Sequence, residues 1–587
     1  CPTVFTLRLT AQPFLERAAA VGILHTDMVN GPGAGLSFKD FDNDGFDDIS
    51  IGSRAGIQHR FYRNRGDGTF ELLPDPTAIL ATVNQFLWVD YDNDGDQDLF
   101  ATVFEGPNRL LRRDGDWQFT DVTIPAGLPL EPYRHYAAAW GDYNRDGRLD
   151  LYFSERTPPG IPEPNRNRLF SAQPGGTFTE VTDISGTADP GRATWGGAFL
   201  DIDHDNWPDI YIINDRDTRN TLLRNQTDGT FADVSVATQT DLEIDAMSLA
   251  IADYDNDGRE DIYVTNTEAG GYLLRNTGTP TLPVFSQEAF TLGVSFQDGI
   301  GWGANWLDAD RDGRRDLYVS GSKIGGQVVS SVFYHQEPDG TFSPSSAGFI
   351  GDTVLSYTNA VGDLDNDGRP DLMVINQSPF ASQFWRNAGT DDHHYFRFRL
   401  SGVLSNREGI GSRVEVYAGG RYALHYLRCG EAFLAQNTGS PLIGLGTATT
   451  VDSVRITWPT GHRDLFTNLA VDQLHVFTEG QSSPGGEIQV DSGLVLLTAT
   501  RETPISASTS PTLLANPAAR PTILPGYWTG GEYTIYKVSG EAIGSGRFGG
   551  GGSFSPDLPP TLAAGVYLIA LRDDSSGRQA VLRWVMP

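Results

Sequence analysis

Asp253-Tyr-Asp255-Asn-Asp257-Gly258-Arg-Glu-Asp261-Ile-Tyr-Val264 is the stretch on which the fold of this chain turns. Its pattern is D-x-D-x-D-G-x-x-D followed by an apolar run. Six further copies begin at Asp40, Asp90, Asp142, Asp201, Asp308 and Asp363, so successive starts lie 50, 52, 59, 52, 55 and 55 residues apart. When such a loop curls, the side chains at positions 1, 3 and 5 converge. Position 6 must then adopt a left-handed conformation, which glycine takes without steric cost. A carbonyl at position 7 and a carboxylate at position 9 complete an all-oxygen shell, the donor set that Ca²⁺ prefers and that suits Mg²⁺ less well.

The candidate metal ligands are therefore Asp40, Asp42, Asp44 and Asp48; Asp90, Asp92, Asp94 and Asp98; Asp142, Asn144, Asp146 and Asp150; Asp201, Asp203, Asp205 and Asp209; Asp253, Asp255, Asp257 and Asp261; Asp308, Asp310, Asp312 and Asp316; and Asp363, Asp365, Asp367 and Asp371. Two copies depart from the pattern. Asn144 stands at position 3 of the third, and Asn206 replaces glycine in the fourth. Asn keeps an oxygen in the first case and tolerates the left-handed conformation in the second. About seven structural Ca²⁺ ions are expected.

The flanks are strand-like. Phe86-Leu-Trp-Val89 precedes one loop, and Asp316-Leu-Tyr-Val319 follows another, so each loop is read as a hairpin tip. A third strand follows, as in Arg60-Phe-Tyr-Arg-Asn64 and Tyr272-Leu-Leu-Arg-Asn276. Asp-Gly turns such as Asp228-Gly-Thr-Phe231 lead into a fourth. Seven four-stranded repeats of this length predict an all-β chain with a seven-bladed β-propeller over residues 1–390. The seventh repeat lacks a fourth strand, while Phe14-Leu-Glu-Arg17 precedes the first repeat as an orphan. The orphan is expected to complete the seventh blade and close the ring, removing an open edge.

Formal net charge is −32 over 587 residues. Seven divalent ions would add +14 and leave −18, and that residual acidity speaks against a nucleic-acid partner. No apolar run reaches about 18 residues, so no membrane helix is expected. The cysteines are Cys1 and Cys429. A Cys1–Cys429 disulfide, a lipid-modified Cys1 and two unrelated thiols all stay open. A chain starting at Cys1 reads as processed, and a location outside the cytoplasm follows from the first two options.

The repeats resemble the FG-GAP/VCBS blades of integrin α-subunit propellers and of the cartilage acidic protein family, over about residues 14–390. The resemblance implies Ca²⁺ in each Asp loop. Residues 391–482, with Asn406-Arg-Glu-Gly409-Ile-Gly411-Ser-Arg413 and Val451-Asp-Ser-Val-Arg-Ile-Thr-Trp458-Pro459, resemble the ASPIC/UnbV domain and imply a small β-sandwich with no catalytic role. Residues 483–509 read as a linker, with one strand at Gly493–Thr498. Residues 510–587 carry Asn516-Pro517-Ala, Tyr533-Thr-Ile-Tyr536-Lys-Val-Ser-Gly540 and Leu562-Ala-Ala-Gly565-Val-Tyr567. They resemble the sorting domain of the type IX secretion system, also a small β-sandwich, interrupted by a glycine-rich insert at Gly544–Gly552. That resemblance implies a bacterial cell-surface or secreted protein handled by outer-membrane secretion machinery.

Neither G-x-S-x-G, H-E-x-x-H nor a P-loop occurs, so no enzyme is expected. The expected role is extracellular binding or adhesion, with a protein, a glycan or further copies of the chain as partner. A propeller enzyme acting on polysaccharide and a surface-filament subunit are the alternatives. Trp195, Trp302, Trp306 and Tyr357 are read as blade packing with a capacity to stack on sugars. His59 and His204 are read as surface-loop residues, and His393-His394 as a solvated junction.

Overall fold

The structure is a computed structural model that describes residues 14–27, 34–131, 134–156, 166–216, 218–279, 283–297, 299–324, 327–345 and 348–482, with six strands between 512 and 586. Seven antiparallel sheets each arrange four strands in order of use. The first comprises Leu36–Lys39, Asp48–Ile51, Arg60–Asn64 and Phe70–Leu73. The first strands of the others are Val83–Val89, His135–Gly141, Ala193–Leu200, Leu249–Ala252, Gly301–Leu307 and Ser356–Gly362. Val83–Val89, His135–Gly141, Ala193–Leu200 and Ser356–Gly362 are buried end to end, whereas fourth strands such as Gln118–Asp121 are largely exposed. Neighbouring first strands nearly touch: a Cβ on Gly303 would lie 2.6 Å from the Tyr357 carbonyl.

The sheet begun by Ser356–Gly362 takes its fourth strand from the other end of the chain. Phe14–Glu16 pairs with Gln383–Asn387 in the register Phe14↔Asn387, Leu15↔Arg386 and Glu16↔Trp385. Phe14 then buries its ring against Phe333 and Phe349. Ala18–Val21, which follows that strand, is a helical turn stopped by Gly22 at φ 91°. Equivalent turns follow the fourth strand at Thr182–Ser185, Ser235–Thr238 and Ala289–Leu292.

Third strands tie six of the seven sheets to the one before. The Asn64 amide donates to the Leu364 carbonyl at 2.6 Å, Asn225 to Tyr143 at 2.9 Å, Asn276 to Ile202 at 3.5 Å and Asn387 to Ala309 at 2.8 Å. Gln336 reaches Tyr254 at 3.3 Å, and the Arg113 guanidinium reaches Phe41. Each acceptor is residue 2 of the preceding Asp loop. The Asn64 bond joins the first sheet to the seventh.

Residues 391–482 form two facing sheets. One orders Leu442–Gly446, His394–Ser401 and Leu474–Thr478. The other orders Arg421–Tyr426, Arg413–Ala418, Thr450–Thr457 and Arg463–Ala470. Phe396, Phe398, Val414, Val454, Ile456, Trp458 and Phe477 fill the space between them. Further on, Ala542–Gly549, Gly530–Lys537, Gly565–Asp573 and Gln579–Met586 form one antiparallel sheet, and Thr512–Leu514 pairs with Thr522–Leu524. Gly544–Gly549, expected to lie within an insert, is strand. The expected strand at Gly493–Thr498 and Cys1 lie outside the described residues.

Candidate metal centres and the covered face

Five of the seven loops share one full set of internal bonds; the Asp90 loop lacks the bond to Asp98 Oδ2 and the Asp308 loop the bond to Asp308 Oδ1. In the first, Asp40 accepts the amides of Asp44 and Gly45 at 2.9 and 3.0 Å, and Asp44 accepts that of Phe46 at 2.9 Å. Asp48 accepts from Phe41 at 3.0 Å and from Asn64 at 2.7 Å. The same bonds recur at Asp142, Asp146 and Asp150 and at Asp363, Asp367 and Asp371. Position 6 is left-handed as expected, with Gly258 at φ 86° and Asn206 at φ 67°. Position 4 is left-handed as well, from Asn43 at 61° to Asn366 at 56°. The two reversals turn the side chains at positions 1, 3, 5 and 9 toward one centre.

Ligand-capable oxygens of Asp40, Asp42 and Asp48, of Asp90, Asp92 and Asp94, and of Asp201, Asp203 and Asp209 lie within 4.8 Å of one another. So do those of Asp253, Asp255 and Asp261 and of Asp308, Asp310 and Asp312. These clusters could hold metal ions. An arginine on the third strand pairs with one oxygen at position 3, as Arg275 does with Asp255 and Arg386 with Asp365. The other oxygens, Asp255 Oδ1 and Asp365 Oδ1, are buried without a hydrogen-bond partner, as are Asp98 Oδ2 and Asp308 Oδ1. An all-oxygen set with a buried, unused lone pair fits a hard divalent cation. Burial, reinforced by the neighbouring loop carboxylates, pushes Asp48 up to about 9, Asp98, Asp201 and Asp253 to about 8, and Asp90 and Asp363 to about 7. A bound cation supplies the charge that reverses this preference for the neutral acid.

Both departures find a place. The Asn144 Oδ1 accepts from Asp146 N at 3.1 Å, the bond that Asp42 and Asp92 make at 3.3 Å. The Asn206 amide reaches past its own loop to the Trp458 and Pro459 carbonyls at 3.1 and 3.2 Å. It bonds the second domain, which a glycine could not do.

The second domain lies across the loops. Arg399 pairs with Asp40, Arg397 with Asp363, Glu408 with Lys39, Arg428 with Glu260, and Asp391 with both Arg311 and Arg369. Glu260 is residue 8 of its loop. A sequence reading centred on positions 1, 3, 5 and 9 passes over this position and over the Asn that ends the third strands. The recurrence of Arg-Asn at 63–64, 224–225, 275–276 and 386–387 was the available signal.

From this domain a segment enters the space among the first strands. Ala435–Gln436 pairs in parallel with Leu36–Ser37. Trp140 N donates to the Cys429 carbonyl at 2.9 Å, and Gln436 both accepts from Trp88 N and donates to Trp88 O at 2.8 Å. Phe433 packs between Trp195 and Trp302 at 5.7 and 5.3 Å. First strands facing an axis carry edge groups that need partners, and this segment supplies them in cis.

Trp195, Trp302 and Tyr357 converge there, whereas Trp306 packs between its own sheet and the preceding one, on Phe342 and Tyr254. His59 is buried, accepting from Ser53 N at 2.9 Å, which corrects the surface-loop expectation. His204 is half-buried at φ 59°. His393 bonds the Asp310 carbonyl at 2.8 Å and His394 opens a strand, so the junction is structured rather than solvated. Cys429 is buried beside Gln436.

FG-GAP-like repeats match residues 40–101, 90–153, 201–264, 253–319 and 320–374, and the ASPIC and UnbV domain matches 402–484. Cartilage acidic protein 1 of Xenopus tropicalis is 27% identical over 190 residues, 31% of this chain and 28% of that protein. The human protein is 27% identical over 194 residues, again 28% of its length, so the chain matches well under a third of these relatives. Among solved structures, BBS1N in complex with ARL6DN aligns over 64% of this chain and 98% of its own, at 12% identity and TM-score 0.40. The Dos1 propeller aligns over 65% and 96%, at 11% identity and TM-score 0.37. At those scores the architecture rests on the sheets described above. Among the described residues no helix is long and apolar enough to cross a membrane. FG-GAP repeats and an ASPIC/UnbV domain together suggest an extracellular or surface protein.

Proposed function

We propose that this chain is a secreted or cell-surface protein whose seven sheets form one closed, Ca²⁺-bearing propeller, and that it acts by binding or adhesion rather than by turnover. The observation that carries this reading is the repeated loop with a buried, unshared carboxylate oxygen, as at Asp98, Asp255, Asp308 and Asp365. Asp, Asn and backbone oxygens would hold Ca²⁺. The ion would supply fixed positive charge that locks each hairpin tip. The pairing of Phe14–Glu16 with Gln383–Asn387 supports closure of the ring.

Segment 429–436 fills the axial space in which a propeller enzyme would keep its site, and this supports binding over catalysis. The partner is an extracellular protein, a glycan or another copy of the chain. Export by a bacterial type IX-like route rests on the sequence of the C-terminal sheet alone. The test is calorimetric titration of chelator-stripped protein, in which Ca²⁺ is expected to fill several sites and equal Mg²⁺ to give little heat. Loaded protein on a solid phase is then expected to retain matrix polysaccharide or protein, to release it in EGTA, and to turn over no glycoside or ester. A chain that takes up no Ca²⁺ overturns the reading.

A further inference from the structure

Five first strands carry a bulge at the end away from their Asp loops; the one between Val83 and Gln85 spans Asn84, and the other four span aromatic residues. In those four, pairing is interrupted between His135 and Ala138, Thr194 and Gly196, Gly301 and Ala304, and Ser356 and Asn359. A bulge re-aims a side chain, and these four interruptions span Tyr136, Trp195, Trp302 and Tyr357. Their rings meet although they come from separate sheets: Tyr136–Trp195 at 4.4 Å, Trp195–Trp302 at 5.9 Å and Trp302–Tyr357 at 5.0 Å. Phe433 closes this collar from within. Trp195 is enclosed, with Arg156 over its face at 4.2 Å. Trp302 is only half-buried, and its indole N–H has no acceptor.

Planar polar groups border the collar. Arg156 pairs with Asp215, whose carboxyl in turn interacts with that of Asp245. Gln377 accepts the Tyr357 hydroxyl at 3.1 Å and keeps its amide N–H₂ as a donor. A pyranose ring presents an apolar C–H face ringed by hydroxyls, so it needs one open aromatic face and planar polar groups around it. The acids here outnumber the guanidinium, which disfavours sulfated or carboxylated sugars.

We propose that this axial mouth is a carbohydrate-binding site that takes a neutral or N-acetylated pyranose, stacked on Trp302 and hydrogen-bonded by Arg156, Asp245 and Gln377. Because Phe433 blocks the axis, the site receives a chain end and does not thread a polymer. The inference rests on the extracellular-binding reading and narrows it to one ligand class.

The test titrates the full Ca²⁺-loaded chain with cellotetraose, chitotetraose and a sulfated heparin tetrasaccharide, followed by tryptophan fluorescence and calorimetry. Saturable binding of a neutral or N-acetylated tetrasaccharide is expected. Trp302→Ala should weaken it by about tenfold. Asp245→Asn, at the rim, should weaken it several-fold at unchanged melting temperature. The proposal is overturned if neither neutral nor N-acetylated sugar binds, if both variants bind like the parent, or if the sulfated sugar binds best. Retention of matrix protein undiminished in Trp302→Ala, with no tetrasaccharide bound, would sink the sugar site and leave the broader reading standing.

Discussion

One face of the sheet array is crowded with charge and covered; the other, among the described residues, is bare and shows apolar side chains. On the loop side, Asp40, Lys39, Glu260 and Asp363 each meet an opposite charge from the second domain. On the other side, the connections into successive first strands expose Leu24, Leu80, Ile124, Ile184, Val236, Phe290 and Ile350, one at each junction and between 65 and 87% accessible. The contrast teaches that burial here follows partners rather than polarity. A charged surface goes under where its groups meet opposite charge. Isolated apolar residues stay out because, singly, they form no patch.

On the Ca²⁺-bearing reading proposed above, the comparison can be broken most severely by chelation at the covered face. EGTA is expected to lower the melting temperature by about 10 °C or more, since several sites of binding energy vanish together. Scanning calorimetry with and without chelator checks this, and an unchanged transition would sever the loops from stability.

Next in size, Phe433→Ala empties the collar and should cost about 3–5 kcal/mol, read from denaturant unfolding. Gly430→Val should be at least as severe, because Gly430 sits at φ 93° and a Cβ would lie 2.2 Å from the Ala138 carbonyl. Asn64→Ala strips the Leu364 carbonyl of its donor and should cost about 1–3 kcal/mol in the same assay.

Acid acts from the bare side. Burial pushes His25 and His135 down from 6.5 to about 4 and about 3. Between those values and 6.5 the unfolded chain binds protons that the folded chain refuses. Their contribution is therefore full above pH 6.5 and falls as pH drops toward 4, by up to about 1.4 kcal/mol per group per pH unit. Melting at pH 7 and pH 5 in Ca²⁺ should show the fall, and a His25→Asn, His135→Asn double variant should flatten it. The smallest effect belongs to Ile184→Ser on the bare face, expected within about 0.5 kcal/mol.

The all-β class, the hairpin tips and the strand order were legible because the Asp-Gly punctuation and the alternating apolar runs are local signals. The Phe14 pairing was legible too, since the last repeat visibly lacks a strand. What lay outside the sequence was long-range. Nothing local marks Glu260 as the partner of Arg428, or Asn206 as a donor to Trp458. The axial role of Phe433 depends on two sheets and a second domain meeting in space. Ala18–Val21 drew no assignment because an alanine run fits strand or helix, and only the left-handed Gly22 decides. Among the aromatics, Trp302 and Trp306 look alike in sequence. A bulge sends the first to the axis, and regular pairing places the second between its sheet and the preceding one.

The bond between Phe14–Glu16 and Gln383–Asn387 also sets an order of events during synthesis. A chain that emerges amino end first must carry its leading strand without a mate until nearly four hundred residues have followed. Through that interval the six other sheets can pair their strands one by one, each from a contiguous stretch of chain. Handling factors that shelter a nascent polypeptide would thus find their lasting client in Phe14–Glu16.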